Sequence, residues 1–147
     1  MADFFLRAAT AADEQEIRAL IRAVQINPMG LDWHRFVVAA SAEGAIGGCG
    51  QVKPHGEEAR ELASIAVWAQ YRGQGIARAI IEDLLRQNPG SLYLMCRPLL
   101  GPFYEKFGFR EIPQNEMPTY FRRISRLARL LMGLSRADDY LMVMKRG

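Results

Sequence analysis

The chain has 147 residues, of which half are hydrophobic and 24% are charged, and this size and composition predict one globular domain. No apolar run approaches the roughly 20 residues of a membrane span, so stable membrane insertion is not expected. The net charge of +3 is concentrated in residues 117–147, which hold seven Lys/Arg and two Asp/Glu, and no nucleic-acid-binding motif accompanies them, so no nucleic-acid partner is predicted.

The compartment is predicted from the first residues and the two cysteines. Residues 1–7 contain an early acid and only a short apolar patch, which is not the pattern of a signal peptide. Cys49 and Cys96 lie in apolar surroundings without a CxxC motif or a Cys/His cluster, so we expect buried reduced thiols and no metal. The sequence therefore predicts a cytoplasmic protein.

The first half of the chain predicts one helix and three strands. Thr10 is a candidate N-cap, acidic residues fill the first turn, apolar residues then recur at helical spacing, and Asn27-Pro28 ends the helix. Residues 36–40, 45–52 and 59–68 are typical of strands separated by turns, and Gly47, Gly48 and Gly50 indicate a bulge or a close backbone approach. His34 and His55 (the latter in a predicted turn at 54–57) are interpreted as isolated surface or packing residues.

The second half predicts two long helices and three more extended segments. Apolar residues from Ile76 to Leu85 have a strong helical period, which Asn88-Pro89-Gly90 ends. Residues 91–96, 109–112 and 140–144 are extended, and 98–107 form a short helix. Residues 117–136 predict a basic amphipathic helix with apolar residues at 121, 124, 127, 128, 131 and 134. We expect its apolar side to pack on the domain and its arginines to be solvated, with docking of an acidic partner or an anionic membrane as alternatives.

The strongest chemical signal is the glycine-containing turn between the third strand and the following helix. Gly73 and Gly75 let the backbone approach a ligand closely, and the start of the helix at Ile76 adds unpaired N–H groups. Arg72 places a positive charge beside the turn. These features describe a pyrophosphate site, although a tight turn that merely caps a helix would explain the two glycines equally well.

Two linked motifs identify a family. The segment Val67-Trp68-Ala69-Gln70-Tyr71-Arg72-Gly73-Gln74-Gly75-Ile76-Ala77 resembles the acetyl-CoA motif of the GNAT superfamily, and Phe103-Tyr104-Glu105-Lys106-Phe107-Gly108-Phe109 resembles its second motif. The element order matches along nearly the whole chain, with residues 113–139 longer and more helical than a minimal member. The resemblance implies an α/β (α+β) GNAT fold over a single domain of residues 1–147. Its sheet would be mixed, mostly antiparallel, twisted and six- to seven-stranded, flanked by helices, with an extra basic helix before the last strand.

The resemblance also implies where acetyl-CoA, the co-substrate, would bind. The loop would wrap the pyrophosphate, the strand edge at Ile65, Ala66 and Val67 would pair with the pantetheine arm, and Tyr104 would lie near the sulfur. The implied loop residues are Gln70, Tyr71, Arg72, Gly73, Gln74, Gly75, Ile76 and Ala77. Many members carry an asparagine soon after the fifth strand, where this chain has Arg97-Pro98.

The implied catalytic residues are Tyr104 and Glu61. Tyr104 matches the family tyrosine that donates a proton to the leaving thiolate, although Phe103, Tyr104 and Phe107 would also serve as one packing face of a helix. Glu61 stands where several members carry a carboxylate that acts as base through water, and alternation would place it on the face of Ala63 and Ile65. A solvated glutamate at a strand end is an equal alternative.

The predicted function is an N-acetyltransferase that moves the acetyl group of acetyl-CoA directly onto a primary amine. The acceptor would be a protein N-terminus, a lysine or a small amine metabolite. Trp33 and Arg35 lie in the region that lines the acceptor side in the family, although a tryptophan that anchors a connector is also expected there. The alternative is an acyl-CoA-binding regulatory or partner-binding module with little turnover, and a homodimer is left open.

Overall fold

The structure is a computed structural model that describes residues 3–132 and 140–147. Its contacts divide the chain into two compact units. The first unit contains Met1–Lys53 and Leu62–Pro89, and the second contains Pro54–Glu61 and Gly90–Gly147. Strands β3 (Ile46–His55) and β4 (Ala59–Val67) each contribute residues to both units.

The first unit is built on strands β1 (Phe4–Ala8), β2 (Phe36–Ser41), β3 and β4, which neighbour one another in that order. β2 pairs antiparallel with both β1 and β3, and its register with β3 shifts between Ala39 and Ala40. Helix α1 (Glu14–Ala23) buries Ile17, Leu20 and Ile21 against a core that includes Val38 and Cys49. A strand at residues 4–8 was not predicted, and the other elements of this unit lie close to their predicted positions.

Close packing of helix α2 (Ile76–Gln87) explains two of the glycines of β3. A Cβ added at Gly48 would lie 2.8 Å from Ile76 Cγ2, and one added at Gly50 would lie 2.7 Å from Ile80 Cγ2. Real Cβ atoms essentially never come so close, so any larger residue would push α2 away from the strand. Glycine at these two positions therefore allows the helix that follows the candidate phosphate loop to lie directly on β3.

The second unit contains strands β5 (Leu92–Cys96), β6 (Arg110–Glu111) and β7 (Met142–Arg146), with the first residues of β4. β4 pairs in parallel with β5 at Glu61 and Tyr93, β5 pairs antiparallel with β7, and β7 pairs antiparallel with β6. Helices α3 (Gly101–Glu105) and α4 (Thr119–Met132) complete the unit. Its core gathers Tyr93, Ile112, Met117, Phe121 and Val143. The described residues thus form seven strands in a mixed, mostly antiparallel arrangement, as expected.

Helix α4 packs through its first half only. Phe121 is fully buried and Ile124 is half-buried, whereas Leu127 is 51% exposed and Leu131 is 75% exposed. The prediction that the whole apolar side packs on the domain is therefore wrong for these two leucines. The predicted helix residues 133–136, including Leu134, lie outside the described residues. In the part of the chain that the structure describes, no helix is long and apolar enough to cross a membrane.

Candidate functional site

The candidate phosphate loop lies in the first unit, between β4 and α2. Tyr71 is held by an edge-to-face contact with Phe4, with ring centroids 4.9 Å apart, and its N–H donates to the Trp68 carbonyl at 2.9 Å. Gly73 and Gly75 have φ values of +81° and +82°, a left-handed conformation that only glycine adopts without strain. A Cβ at either position would meet no protein atom within 4 Å. The turn thus requires both glycines and leaves their outer side open.

The start of α2 concentrates positive potential at this loop. Its N-cap residue is Gly75, which has no side chain to cap the helix, and the first turn contains no acidic residue. The first N–H groups of a helix have no intrahelical acceptor, and the helix dipole is positive at that end. Arg72, which is exposed, adds a full charge. The loop therefore offers backbone donors and positive charge without a competing carboxylate of its own, which fits a pyrophosphate.

An open cleft of about 230 Å³ borders this end of α2, and Gln74 and Gly75 contribute to its wall. Its other lining residues include Phe4 and Asp3. A carboxylate in the wall disfavours an anion in the cleft itself, so phosphate contacts are expected at the N–H groups of the loop rather than here.

The predicted pantetheine-binding residues lie at the end of β4. Ala66 is buried, whereas Ile65 and Val67 are half-buried. Immediately before them, Ser64 has a φ of +60°, a left-handed residue inside a strand, which is the local geometry of a β-bulge. Because a bulge interrupts the alternation of side chains, the predicted shared face of Glu61, Ala63 and Ile65 does not continue past Ser64.

Tyr104 lies in α3, in the second unit. Its half-buried ring makes edge contacts with Phe103 and Phe109 at centroid distances of 5.1 and 6.3 Å. Burial, with a smaller contribution from the Cys96 thiol, raises the pKa of Tyr104 to about 12. The phenol is therefore protonated at neutral pH and able to donate a hydrogen bond. The packing role and the donor role are compatible, because packing involves the ring and donation involves the hydroxyl.

Glu61 is buried rather than solvated at a strand end. One of its carboxylate oxygens lies 2.7 Å from His55 Nε2, and the side chains of His55 and Glu61 are 13% and 5% exposed. The His55 ring stacks on Tyr120 with centroids 3.6 Å apart, and burial together with the nearby charge of Glu61 raises the pKa of Tyr120. His55 is thus part of a packed cluster in the second unit, as the packing alternative expected, but it ends β3 and does not lie in the predicted turn at 54–57.

The sequence contained one signal for this cluster. Polar residues occupy alternate positions 51, 53 and 55 of β3, which is the pattern of a polar strand face. The strand continues through Pro54 to His55, beyond the end at 52 that the sequence predicted. Tyr120 carried no signal, because its position on α4 is far from His55 along the chain.

Trp33 and Arg35 lie in a single 3₁₀ turn, Trp33–Arg35, before β2. Trp33 packs against the core of the first unit, and its ring stacks on that of His34 with centroids 3.7 Å apart. It therefore anchors the connector between α1 and β2. Arg35 extends from the same turn, and its Nη2 donates to the Gly30 carbonyl at 3.3 Å. The two residues predicted for the acceptor side therefore lie in one turn. Trp33 anchors this turn to the core, and Arg35 contacts the loop at Gly30.

Both cysteines are buried, and burial raises their pKa values to about 12 for Cys49 and about 11 for Cys96. Within residues 3–132 and 140–147, no group of three or more His, Cys, Asp or Glu side chains could hold a metal ion.

Comparisons with known proteins identify a family and a fold. The family model described as acetyltransferase (GNAT) domain matches residues 32–111, which is more than half of the chain. No curated protein matches the chain. The structure is similar to N-acetylglutamate synthase from Neisseria gonorrhoeae solved with coenzyme A and N-acetyl-glutamate, with a TM-score of 0.76 and 19% identity. That match covers 99% of this chain and 35% of the synthase, so this chain spans about a third of the synthase's length.

Two further solved structures have nearly the same length as this chain. The Mycobacterium tuberculosis protein Rv2747, solved in complex with CoA, has a TM-score of 0.76 and 19% identity over 97% of this chain and 98% of that one. A GNAT-family acetyltransferase from Staphylococcus aureus has a TM-score of 0.70 and 18% identity, with 98% of each chain covered. At these identities the likeness shows the fold, and the family model adds the motifs. The chain therefore belongs to the acetyltransferase (GNAT) domain family.

Proposed function

We propose that this protein transfers the acetyl group of acetyl-CoA directly onto a primary amine. The observation that carries the proposal is the loop before α2, in which two left-handed glycines open the backbone in front of a helix end without an acidic residue. Structures of two similar proteins, the gonococcal synthase and Rv2747, were solved with CoA. We therefore assign acetyl-CoA as the co-substrate of this protein.

The binding roles follow the predicted residues. Residues Gln70–Ala77 wrap the pyrophosphate, which is held by those backbone N–H groups that do not donate within the turn, and Arg72 adds its charge. The end of β4 at Ile65, Ala66 and Val67 supplies N–H and C=O groups to the amides of the pantetheine arm, in the manner of an added strand. An N–H group near Val67 also stabilises negative charge that develops on the thioester oxygen.

Tyr104 stabilises the leaving sulfur. Its pKa of about 12 exceeds that of a thiol, about 8.5, so the phenol does not readily give up its proton to the thiolate. A hydrogen bond from the phenol to a charged sulfur is nevertheless stronger than one between neutral groups. We therefore assign Tyr104 as a hydrogen-bonding acid that stabilises the thiolate as it leaves, with solvent completing the protonation.

Glu61 supports removal of the proton from the acceptor amine, which must be neutral to attack. With Glu61 ionised, the His55 Nε2–H donates to its carboxylate, and Nδ1 then carries the free lone pair. A water that receives the amine proton can pass it to this lone pair, while Glu61 stabilises the resulting imidazolium. The base is thus the His55–Glu61 pair acting through water, with Tyr120 holding the imidazole ring in place.

The test follows CoA release with acetyl-CoA and panels of peptides, polyamines and amino acids, together with thermal unfolding with and without acetyl-CoA. We expect a raised melting temperature and acceptor-dependent release of CoA. Stabilisation by acetyl-CoA without turnover on any acceptor would instead support the regulatory binding module. Absence of stabilisation at millimolar acetyl-CoA, in a folded sample, would refute both.

A further inference from the structure

Three polar side chains of the first unit converge on the loop between α1 and β2. Arg35 Nη2 and Gln51 Nε2 both donate to the Gly30 carbonyl, at 3.3 and 3.1 Å. Lys53 Nζ donates to the Met29 carbonyl at 3.4 Å, and a Cβ added at Gly30 would lie 3.5 Å from this nitrogen. The donors of all three residues are therefore gathered around the two successive peptide groups that flank Gly30.

The two cations of this cluster form no ion pair with any carboxylate that the structure describes. Among the residues that the structure describes, neither Arg35 nor Lys53 has a carboxylate within the 4.0 Å of an ion pair. The charge of Arg35 is the smallest of the named causes that lower the pKa of Asp32, whose carboxylate lies 2.7 Å from His34 Nδ1. Lys53 is only 6% exposed, and its long contact to a carbonyl compensates little of the cost of removing an ammonium from water. A buried ammonium and a half-buried guanidinium without a carboxylate partner among the described residues are the pattern expected of an anion site.

Two unsatisfied atoms point to the shape of the missing ligand. Arg35 Nε and Gln51 Oε1 are buried, and neither has a hydrogen-bond partner within the described part of the chain. The guanidinium therefore has a donor to spare and the amide has an acceptor to spare. Because both residues also contact the Gly30 carbonyl, one small ligand could satisfy both atoms if it carried an acceptor group, such as a carboxylate, and a donor group, such as an ammonium.

We propose that Arg35, Gln51 and Lys53 form the acceptor site and that the acceptor is a small amine with a carboxylate beside it, of the amino-acid class. The inference rests on the proposed acetyltransferase function. Met29 and Gly30 are exposed, so their carbonyls can turn to water while the two carboxylate oxygens take their place on the cations. A protein N-terminus or lysine carries no carboxylate beside its amine and would leave the cations unpaired.

The cluster adjoins the strand to which the pantetheine arm is assigned. Gln51 Nε2 also donates to Ser64 Oγ at 2.9 Å, and Ser64 is the residue before Ile65 in β4. An amine held by Gln51 Oε1 would thus lie next to the end of β4. There its nitrogen attacks the acetyl carbonyl, the C–N bond forms and the C–S bond breaks. The ammonium loses two protons, the thiolate takes up one, and one is released.

The test compares two matched acceptor pools on the wild-type protein, the common L-amino acids and the corresponding amino-acid amides. We expect kcat/KM to favour the acids by on the order of 10- to 100-fold, since the amides lack the charge that Arg35 and Lys53 bind. The amine of an amide has the lower pKa and is more often neutral, so amine ionisation cannot produce this preference. Equal use of both pools, or a preference for the amides, would overturn the proposal.

Variants separate recognition from folding. Lys53→Met keeps the length of the side chain and should lower kcat/KM for the acids by about 10-fold or more while leaving the amides unchanged. Arg22→Gln, an exposed arginine of α1 in the same unit, is the matched control and should change neither pool. An equal loss on both pools in Lys53→Met would mean a structural role and would refute the assignment.

The thermal shift with acetyl-CoA distinguishes the two proposals. If acetyl-CoA stabilises the protein and other amines are acetylated but neither pool is, the acceptor class is wrong and the transferase proposal stands. If acetyl-CoA does not stabilise the protein, the transferase proposal fails and the acceptor assignment fails with it.

Discussion

Replacing Gly73 by valine should abolish acetyl-CoA binding without unfolding the protein. Gly73 has a φ of +81°, and no protein atom lies within 4 Å of a Cβ built there, so the cost to the fold is backbone strain alone. A left-handed conformation costs an L-residue about 1–2 kcal/mol. Each kcal/mol moves the melting temperature of a chain of this size by about 2–4 °C. We therefore expect the variant to melt about 2–8 °C below the wild type.

The effect of Gly73→Val on acetyl-CoA binding should be larger than its effect on stability. At an acetyl-CoA concentration 100 times the Kd, mass action stabilises the native state by about 2.7 kcal/mol. This corresponds to a rise of about 5–11 °C in the wild-type melting temperature. Valine at position 73 would occupy the space in front of the loop that the pyrophosphate needs, so this rise should disappear.

Gly44→Val provides a matched control for this prediction. Gly44 lies in a turn of the same unit with a φ of +91°, and it too has no atom within 4 Å of a built Cβ. Its backbone strain should therefore equal that of Gly73→Val, while the rise with acetyl-CoA should remain complete. The measurement is thermal unfolding of both variants across an acetyl-CoA titration. A full rise in Gly73→Val would refute the assignment of the loop.

Three further predictions address single side chains. Tyr104→Phe should lower kcat by about 10- to 100-fold with an unchanged acetyl-CoA Kd, because only the hydrogen-bonding hydroxyl is lost. Single-turnover kinetics measures the first effect and calorimetry the second. Turnover at the wild-type rate would contradict the role of the hydroxyl. His55→Gln and Glu61→Gln should each lower kcat, and the double variant should lose little more than either alone, since the two act as one unit; additive losses would separate them. The pKa of Asp13 is held low mainly by the hydrogen bond from Arg7 at 2.7 Å. At a pH above the ordinary pKa of an aspartate, about 3.9, this ionised carboxylate should contribute about 1–3 kcal/mol to the free energy of unfolding. The contribution should be lost as the pH falls through the pKa of Asp13 in the folded protein. The difference in stability between wild type and Asp13→Asn should therefore shrink in acid, and a difference independent of pH would exclude the ion pair as its source.

The elements that could be predicted from sequence are those with their own periodicity and end signals. Helix α2 was predicted at 76–85 and found at Ile76–Gln87, because its apolar spacing and the following Asn88-Pro89 are local information. Strand β1 was missed for the opposite reason. It lacks alternation, Phe5 is 53% exposed, and the strand exists through its pairing with β2. The exposure of Leu127 and Leu131 was likewise not predictable, since a helical period does not reveal how much of a face is covered.

The candidate site divides in the same way. The geometry of the candidate phosphate loop could be predicted, because glycines at positive φ and a helix start are encoded within a few residues. The His55–Glu61 pair joins two strands across a turn, and its stacking on Tyr120 depends on where α4 packs. The cluster of Arg35, Gln51 and Lys53 was hidden because polar residues in a strand suggest solvent, whereas Gln51 and Lys53 are buried.

The buried cysteines make the proposed activity of this protein convenient to measure. A thiol reagent reacts with the thiolate form, and both Cys49 and Cys96 are shielded from solvent with pKa values raised to about 12 and about 11. A chromogenic disulfide added to the folded protein should consequently titrate the CoA released by turnover and leave the enzyme unmodified. The same reagent in denaturant should report the two thiols of the chain, so one reagent measures both product formation and loss of native structure.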